Sequence, residues 1–182
     1  MKKVIALAAA FIVVLALAVS LMYARGYFGI SADNMEKDAR KSQSIGSTWA
    51  VSKSVNENLG AMIFYSDTLD EHTFSIYVSR EGFFSRLFSR YYFRAGGSDS
   101  VIDYSIREFS FPSPYDKNGS ALISMNTGSV AKIVIDNDID TTVIDVDPNK
   151  PFAVVIPINP GSVVLYDVDD NIIPFNDRAV TE

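Results

Sequence analysis

The chain has no cysteine and a single histidine among its 182 residues. The first absence excludes disulfide staples, thiol nucleophiles with sortase-like chemistry, and lipidation on cysteine. The two together leave zinc without its usual ligands. Ser-His-Asp chemistry would have to take the one histidine, His72, as its base. His72 lies in Asp70-Glu71-His72-Thr73, a polar turn pattern, and no G-x-S-x-G frames a nucleophile. The expectation is a solvated turn residue. Basic side chains are also scarce: 16 Lys and Arg stand against 22 Asp and Glu. Three of the 16 (Lys2, Lys3 and Arg25) fall in the first 30 residues, which leaves 13 against 22 beyond them, a balance of −9. Nucleic-acid binding wants a basic footprint, so nucleic acid is not an expected partner.

One stretch lacks charge altogether. Val4 to Met22, VIALAAAFIVVLALAVSLM, comes directly after Lys2-Lys3. At ~1.5 Å per residue a helix of this length comes close to the thickness of a bilayer's hydrocarbon core. The lysines before it favour a cytoplasmic N-terminus and an extracytoplasmic remainder. A cleaved signal peptide is the rival reading, with Ala16-Leu17-Ala18 as an A-x-A site. That site lies inside the apolar run, and a signal core is usually shorter, about 7–15 residues. The favoured expectation is an uncleaved anchor, with Tyr23, Tyr27 and Phe28 in an interfacial aromatic belt. Both readings export the rest of the chain.

Beyond the run the chain divides by composition. Residues 1–30 form the anchor and 31–46 a polar stalk or linker, in which Asp33 to Glu36 looks like a helix start. Residues 47–174 form the folded domain and 175–182 a tail. In the domain the apolar period becomes two. Candidate strands lie at 49–55, 62–66, 74–79, 91–94, 101–111, 121–125, 130–135, 142–146, 152–158 and 163–166. Turn chemistry separates them, as in Asn126-Thr127-Gly128 and Asn159-Pro160-Gly161. Short strands at even spacing, with no room for crossover helices, predict an all-β fold, an antiparallel β-sandwich.

The blocks FSIYV (Phe74 to Val78), YYFRAGGS (Tyr91 to Ser98), ALISMN (Ala121 to Asn126) and PFAVVIPINPGSVVLYDVDDNII (Pro151 to Ile173) resemble a group of small exported proteins of Gram-positive bacteria. The resemblance implies an N-terminal hydrophobic segment ahead of an all-β domain. It implies no activity and no catalytic residue.

Three further features bear on function. Ser129-Val130-Ala131-Lys132 matches S-x-x-K, but it opens a β-patterned run where acylases of that kind need a helical turn. Asp136, Asp138 and Asp140 form D-x-D-x-D, with Asp145 and Asp147 beyond, and calcium wants several such oxygens in one loop. Thr141 stands where an EF-hand has its glycine, so the competing reading is turn capping. Calcium is the one cofactor candidate.

The third feature is Phe83 to Arg94, FFSRLFSRYYFR. As a helix it would put Phe84 and Phe88 on an apolar face and Arg86 and Arg90 on the other, with Arg94 beyond. Such a face suits an anionic membrane, an anionic envelope polymer or another envelope protein; the competing reading is core aromatics. The leading expectation is a membrane-anchored extracytoplasmic binding module that catalyses nothing. One alternative is a calcium- or membrane-responsive structural or sensory ectodomain. The other is a cell-wall hydrolase using Asp103 and Glu108, or His72 with a serine.

Overall fold

The structure, a computed structural model, describes residues 2–24, 29–80, 91–111, 119–157 and 160–174. Helix α1 spans Lys2–Ala24 and α2 spans Met35–Ser42. Strands β1 (Ala50–Val55), β2 (Leu59–Tyr65), β3 (His72–Ser79) and β4 (Tyr91–Gly97) come after them. Next are a short helix α3 (Ser100–Tyr104) and strands β5 (Arg107–Ser110), β6 (Ser120–Ser124), β7 (Lys132–Asp136) and β8 (Thr141–Asp145). The last strands are β9 (Phe152–Ile156), β10 (Ser162–Tyr166) and β11 (Ile172–Ile173). All pairings are antiparallel, in three sheets: β1-β2-β3-β4 (sheet I), β5-β6-β9 (sheet II) and β11-β10-β7-β8 (sheet III). The all-β expectation holds at this level.

Sheet II lies between the other two. Ala121, Ile123, Ala153 and Val155 pack with Leu59, Ile63, Phe74 and Ile76 of sheet I. The alternate residues Leu122, Phe152, Val154 and Ile156 pack with Ile133, Ile135 and Leu165 of sheet III. A strand buried on both faces cannot alternate polar and apolar, which is why β9 reads FAVVI and is buried throughout. The free edge of β9 is covered from β1, where the hydroxyl oxygens of Ser52 and Ser54 accept from the Ala153 and Val155 amides at 3.4 and 3.1 Å. These are the serines that break the apolar pattern of β1.

The other face of sheet I is covered by α2. Met35 and Ala39, four residues apart, meet Met62, Phe64 and Tyr77. Tyr77 donates to Asp38 at 2.8 Å, and burial, with that bond second, pushes its hydroxyl well above the ordinary tyrosine range. Arg40 donates to Glu36 and to the carbonyls of Gly46 and Trp49, and lies over the Phe64 ring. Gln43 fastens the helix end to Phe74, Ser75 and Thr73 of β3. Part of the expected polar stalk is therefore packed on the sheet. With only two apolar residues on α2, the periodicity that would reveal this is too short to read.

A second difference lies at 101–111, expected as one long strand. Asp99 instead accepts from the Val101 amide as an N-cap, and α3 forms, burying Ile102, before β5 begins. Ile102 and Ile106 fit a helical i, i+4 spacing as well as an alternating one, and the cap decides between them.

The chain enters the β region through Ile30, which exchanges two backbone bonds with Tyr91 at 2.7 and 3.1 Å. Large apolar side chains of α1, from Ile5 to Leu21, are exposed. Among the described residues no helix is long and apolar enough to cross a membrane.

Candidate functional site

Asp70, Asp103 and the turn at Asn126 come together at one end of the sheets. An open groove of about 520 Å³ lies there, bordered by Leu69, Asp70, Asp103, Tyr104, Asn126, Ser129 and Asn149. Four separate segments supply these residues. Tyr104 ends α3 and is 85% exposed, an unusual position for so large a ring. Leu69, Asn126 and Ser129 all have left-handed backbones, at φ 60°, 60° and 54°. Asn tolerates that conformation; Leu and Ser do so less readily, and strained backbone gathers at functional surfaces. Asp70 accepts from Thr68 and Ser66, and these bonds, Thr68 first, hold its carboxyl below the usual range.

His72 lies behind the groove. It is buried, at 7% exposure, and opens β3 opposite Tyr65. This corrects the solvated-turn expectation: the turn ends one residue earlier, and the imidazole packs under the 98–104 segment. Its Nδ1 is 2.9 Å from Asp103 Oδ1. Its Nε2 faces the backbone of Asp99, 3.2 Å from the carbonyl oxygen and 3.4 Å from the amide nitrogen. Neutral and donating through Nδ1, the ring accepts the amide; protonated, it donates to the carbonyl as well. The Asp99 carboxylate accepts from Arg107, whose guanidinium lies over Phe109. The network ties the start of β3 to α3 and β5.

This arrangement brings His72 and Asp103 together, but among the described residues no serine hydroxyl is offered to the ring. Glu108 points elsewhere along β5 and accepts from Ser110 at 3.1 Å. Lys132 of the S-x-x-K match stands on β7, where its Nζ bonds Asp170 and lies over Tyr166. The Asp170 bond raises its pKa, which opposes a role as base.

No known family, curated protein or solved structure matches this chain.

The acidic loop is a hairpin turn. Asp136 accepts the Asp138 amide at 3.0 Å, and Asn137 accepts those of Ile139 and Asp140 at 3.1 and 2.7 Å. Asp138 takes the left-handed conformation and is exposed, like Asp136 and Asp140. Among the described residues no three His, Asp or Glu side chains are grouped to hold a metal ion. Phe84, Arg86, Phe88 and Arg90 lie outside the described residues; Arg94 is exposed on β4. In sequence Tyr104 shares one face of the expected strand with Ile102 and Ile106, and Leu69 has polar neighbours and no motif, so neither points to an exposed site. The only signal was an apolar residue in the turn Asp67-Thr68-Leu69-Asp70.

Proposed function

We propose that this chain is a membrane-anchored, extracytoplasmic binding module of the cell envelope, and that it holds a ligand in the groove beside Tyr104 without transforming it. The observation that carries this reading is the contrast between groove and histidine. The groove offers an exposed aromatic ring and a rim of polar groups, the usual means of holding a ligand. The only histidine has both nitrogens engaged behind it, by Asp103 and by the Asp99 backbone. A hydrolase reading would need a base within reach of a nucleophile or of a bound water.

Export is supported by α1. Its sequence carries the uncharged run Val4 to Met22 directly after Lys2-Lys3, an order that favours an extracytoplasmic remainder. Its large apolar side chains from Ile5 to Leu21 are exposed, and a helix that is apolar all round calls for either protein or lipid around it. The resemblance to exported Gram-positive proteins points the same way. A β-sandwich description of sheets I and II rests on the core that they share.

A membrane contact by Phe84, Arg86, Phe88 and Arg90 has one observation in its favour. In sequence these residues lie between Arg80 and Tyr91, and Tyr91 is the residue that Ile30 bridges. Ile30 comes six residues after the last residue of α1. The aromatic stretch therefore runs in sequence through the residue that meets the chain just after α1.

Fractionation tests the placement. Full-length chain expressed in cells stays in the membrane pellet through an alkaline carbonate wash and is degraded by protease added outside. Leu15→Arg with Leu17→Arg lowers retention tenfold or more, since each arginine near the centre of a span costs about 3 kcal/mol. A chain that is soluble without substitution, or protected from external protease, contradicts the proposal.

A further inference from the structure

Among the described residues, sheet III ends in a strand that is hydrogen-bonded on one side only. β8 pairs with β7 on one side only, from Asp136 opposite Thr141 to Lys132 opposite Asp145. The hydrogen-bonded positions are fixed by its two ends: Asn137 donates to the Asp140 carbonyl, and Val146 donates to the Ala131 carbonyl. In an antiparallel ladder such positions alternate, so Thr142 and Ile144 bond to β7. The amides and carbonyls of Thr141, Val143 and Asp145 point outward. Among the described residues none of these groups forms a hydrogen bond, and Asp145 borders a groove shared with Val51 to Ser54 of β1, so the open part of the edge is Thr141 to Val143.

Natural sheets blunt such edges with lysine, proline, a bulge or a cover. β9 has a cover, in the serines of β1. Among the described residues β8 has none of these from Thr141 to Val143: its sequence is TTVID, its register runs without a break, and Val143 is 55% exposed. Its charge is uneven. At the far end Asp145 sits opposite Lys132, and Asp147 pairs with Lys150 at 2.8 Å. At the turn end Asp138 and Asp140 are exposed and form no ion pair with any described residue.

We infer that the free edge of β8 is a docking site for an extended basic peptide segment of a partner protein. The segment adds a fifth strand to sheet III and sets a lysine or arginine against Asp138 and Asp140. Backbone bonds to Thr141 and Val143 supply affinity, and the carboxylates supply selection for charge. A second copy of this chain fits less well, because it would bring its own uncompensated carboxylates to the same edge. This surface is separate from the groove beside Tyr104 and does not depend on it.

The test uses the full chain in mild detergent at low salt and a fluorescent peptide, acetyl-Lys-Thr-Val-Thr-Val-Thr-Lys-amide, read by anisotropy. Saturable binding is expected, at least tenfold weaker for the same peptide with Glu in place of both Lys. Val143→Pro removes the outward amide and leaves the β7 ladder whole, because proline is tolerated where its nitrogen faces away from the sheet. It should abolish binding with little change in melting temperature. If proline unfolds the chain, Val143→Lys serves instead, since it repels the basic peptide at an exposed position. Equal binding by these variants, equal binding of the Glu peptide, or no binding overturns the inference. So does a dimer in sedimentation that Val143→Pro dissociates.

Discussion

Asn126→Ala destabilises the folded chain by about 4 kcal/mol, one of the two largest effects expected of any single substitution outside α1. Asn126 is 5% exposed and forms five hydrogen bonds, three of them through its side chain. Its Nδ2 donates to the carbonyls of Val130 at 3.1 Å and Asp147 at 3.0 Å, and its Oδ1 accepts the Val130 amide at 2.7 Å. Alanine removes all three and strands a buried amide at Val130, itself fully buried. Each lost bond is worth about 1 kcal/mol. Alanine also has to hold φ 60°, which costs about 1 kcal/mol more. Asn126→Gly loses the bonds but not the backbone conformation, so it should be the milder change by about 1 kcal/mol. Denaturant titration of the purified variants checks both values. A loss below about 1 kcal/mol for alanine would mean that the side chain is not the staple between the end of β6 and the 147 loop. The groove should suffer along with stability, because the same turn forms its floor.

Gly161→Ala is the second, at about 3 kcal/mol or more. Gly161 has φ 69°, and a Cβ there would stand 2.2 Å from the Asp136 carbonyl oxygen and 3.0 Å from Asn137 Cα. Both are backbone atoms at the end of β7, which pairs with β10 immediately after the glycine. No rotamer change relieves the clash; the β9–β10 turn or the β7–β8 hairpin has to move. Gly97→Ala is the control. Its φ is 131°, but a Cβ meets nothing within 4 Å, so it carries only the backbone cost. A loss at Gly161 of only about 1 kcal/mol, the backbone cost alone at φ 69°, would show that the close approach does not matter.

Much of this fold is written locally. The strand at 142–146 coincides with β8 to within a residue, and Asp136 to Asp140 turns as its composition requires, because alternation and turn chemistry act between near neighbours. The division into three sheets is not local. Ser52 and Ser54 read as the polar face of a strand, yet they cap amides 101 residues away in β9. Likewise the polar neighbours of His72 in sequence conceal that Asp103, 31 positions on, meets its ring. The groove is the least legible feature, since no two of its four segments are adjacent in the chain and its strain at Leu69 and Ser129 is a property of the folded backbone. Phe84, Arg86, Phe88 and Arg90 carry the sharpest composition in the sequence and lie outside the described residues.

Calcium offers a smaller check. Because Asp136 serves its own turn, millimolar calcium should leave the melting temperature unchanged, and a rise of several degrees would restore the D-x-D-x-D loop as a metal site.

The most direct test of the binding proposal is photocrosslinking in living cells, with a photoreactive residue in place of Tyr104 and a control in place of the exposed Asp169 on the β10–β11 turn. A discrete adduct at position 104 and none at 169 is the expected result, and its mass names the ligand as protein or envelope polymer. Matching patterns at the two positions, or no adduct at either, would contradict a groove that binds.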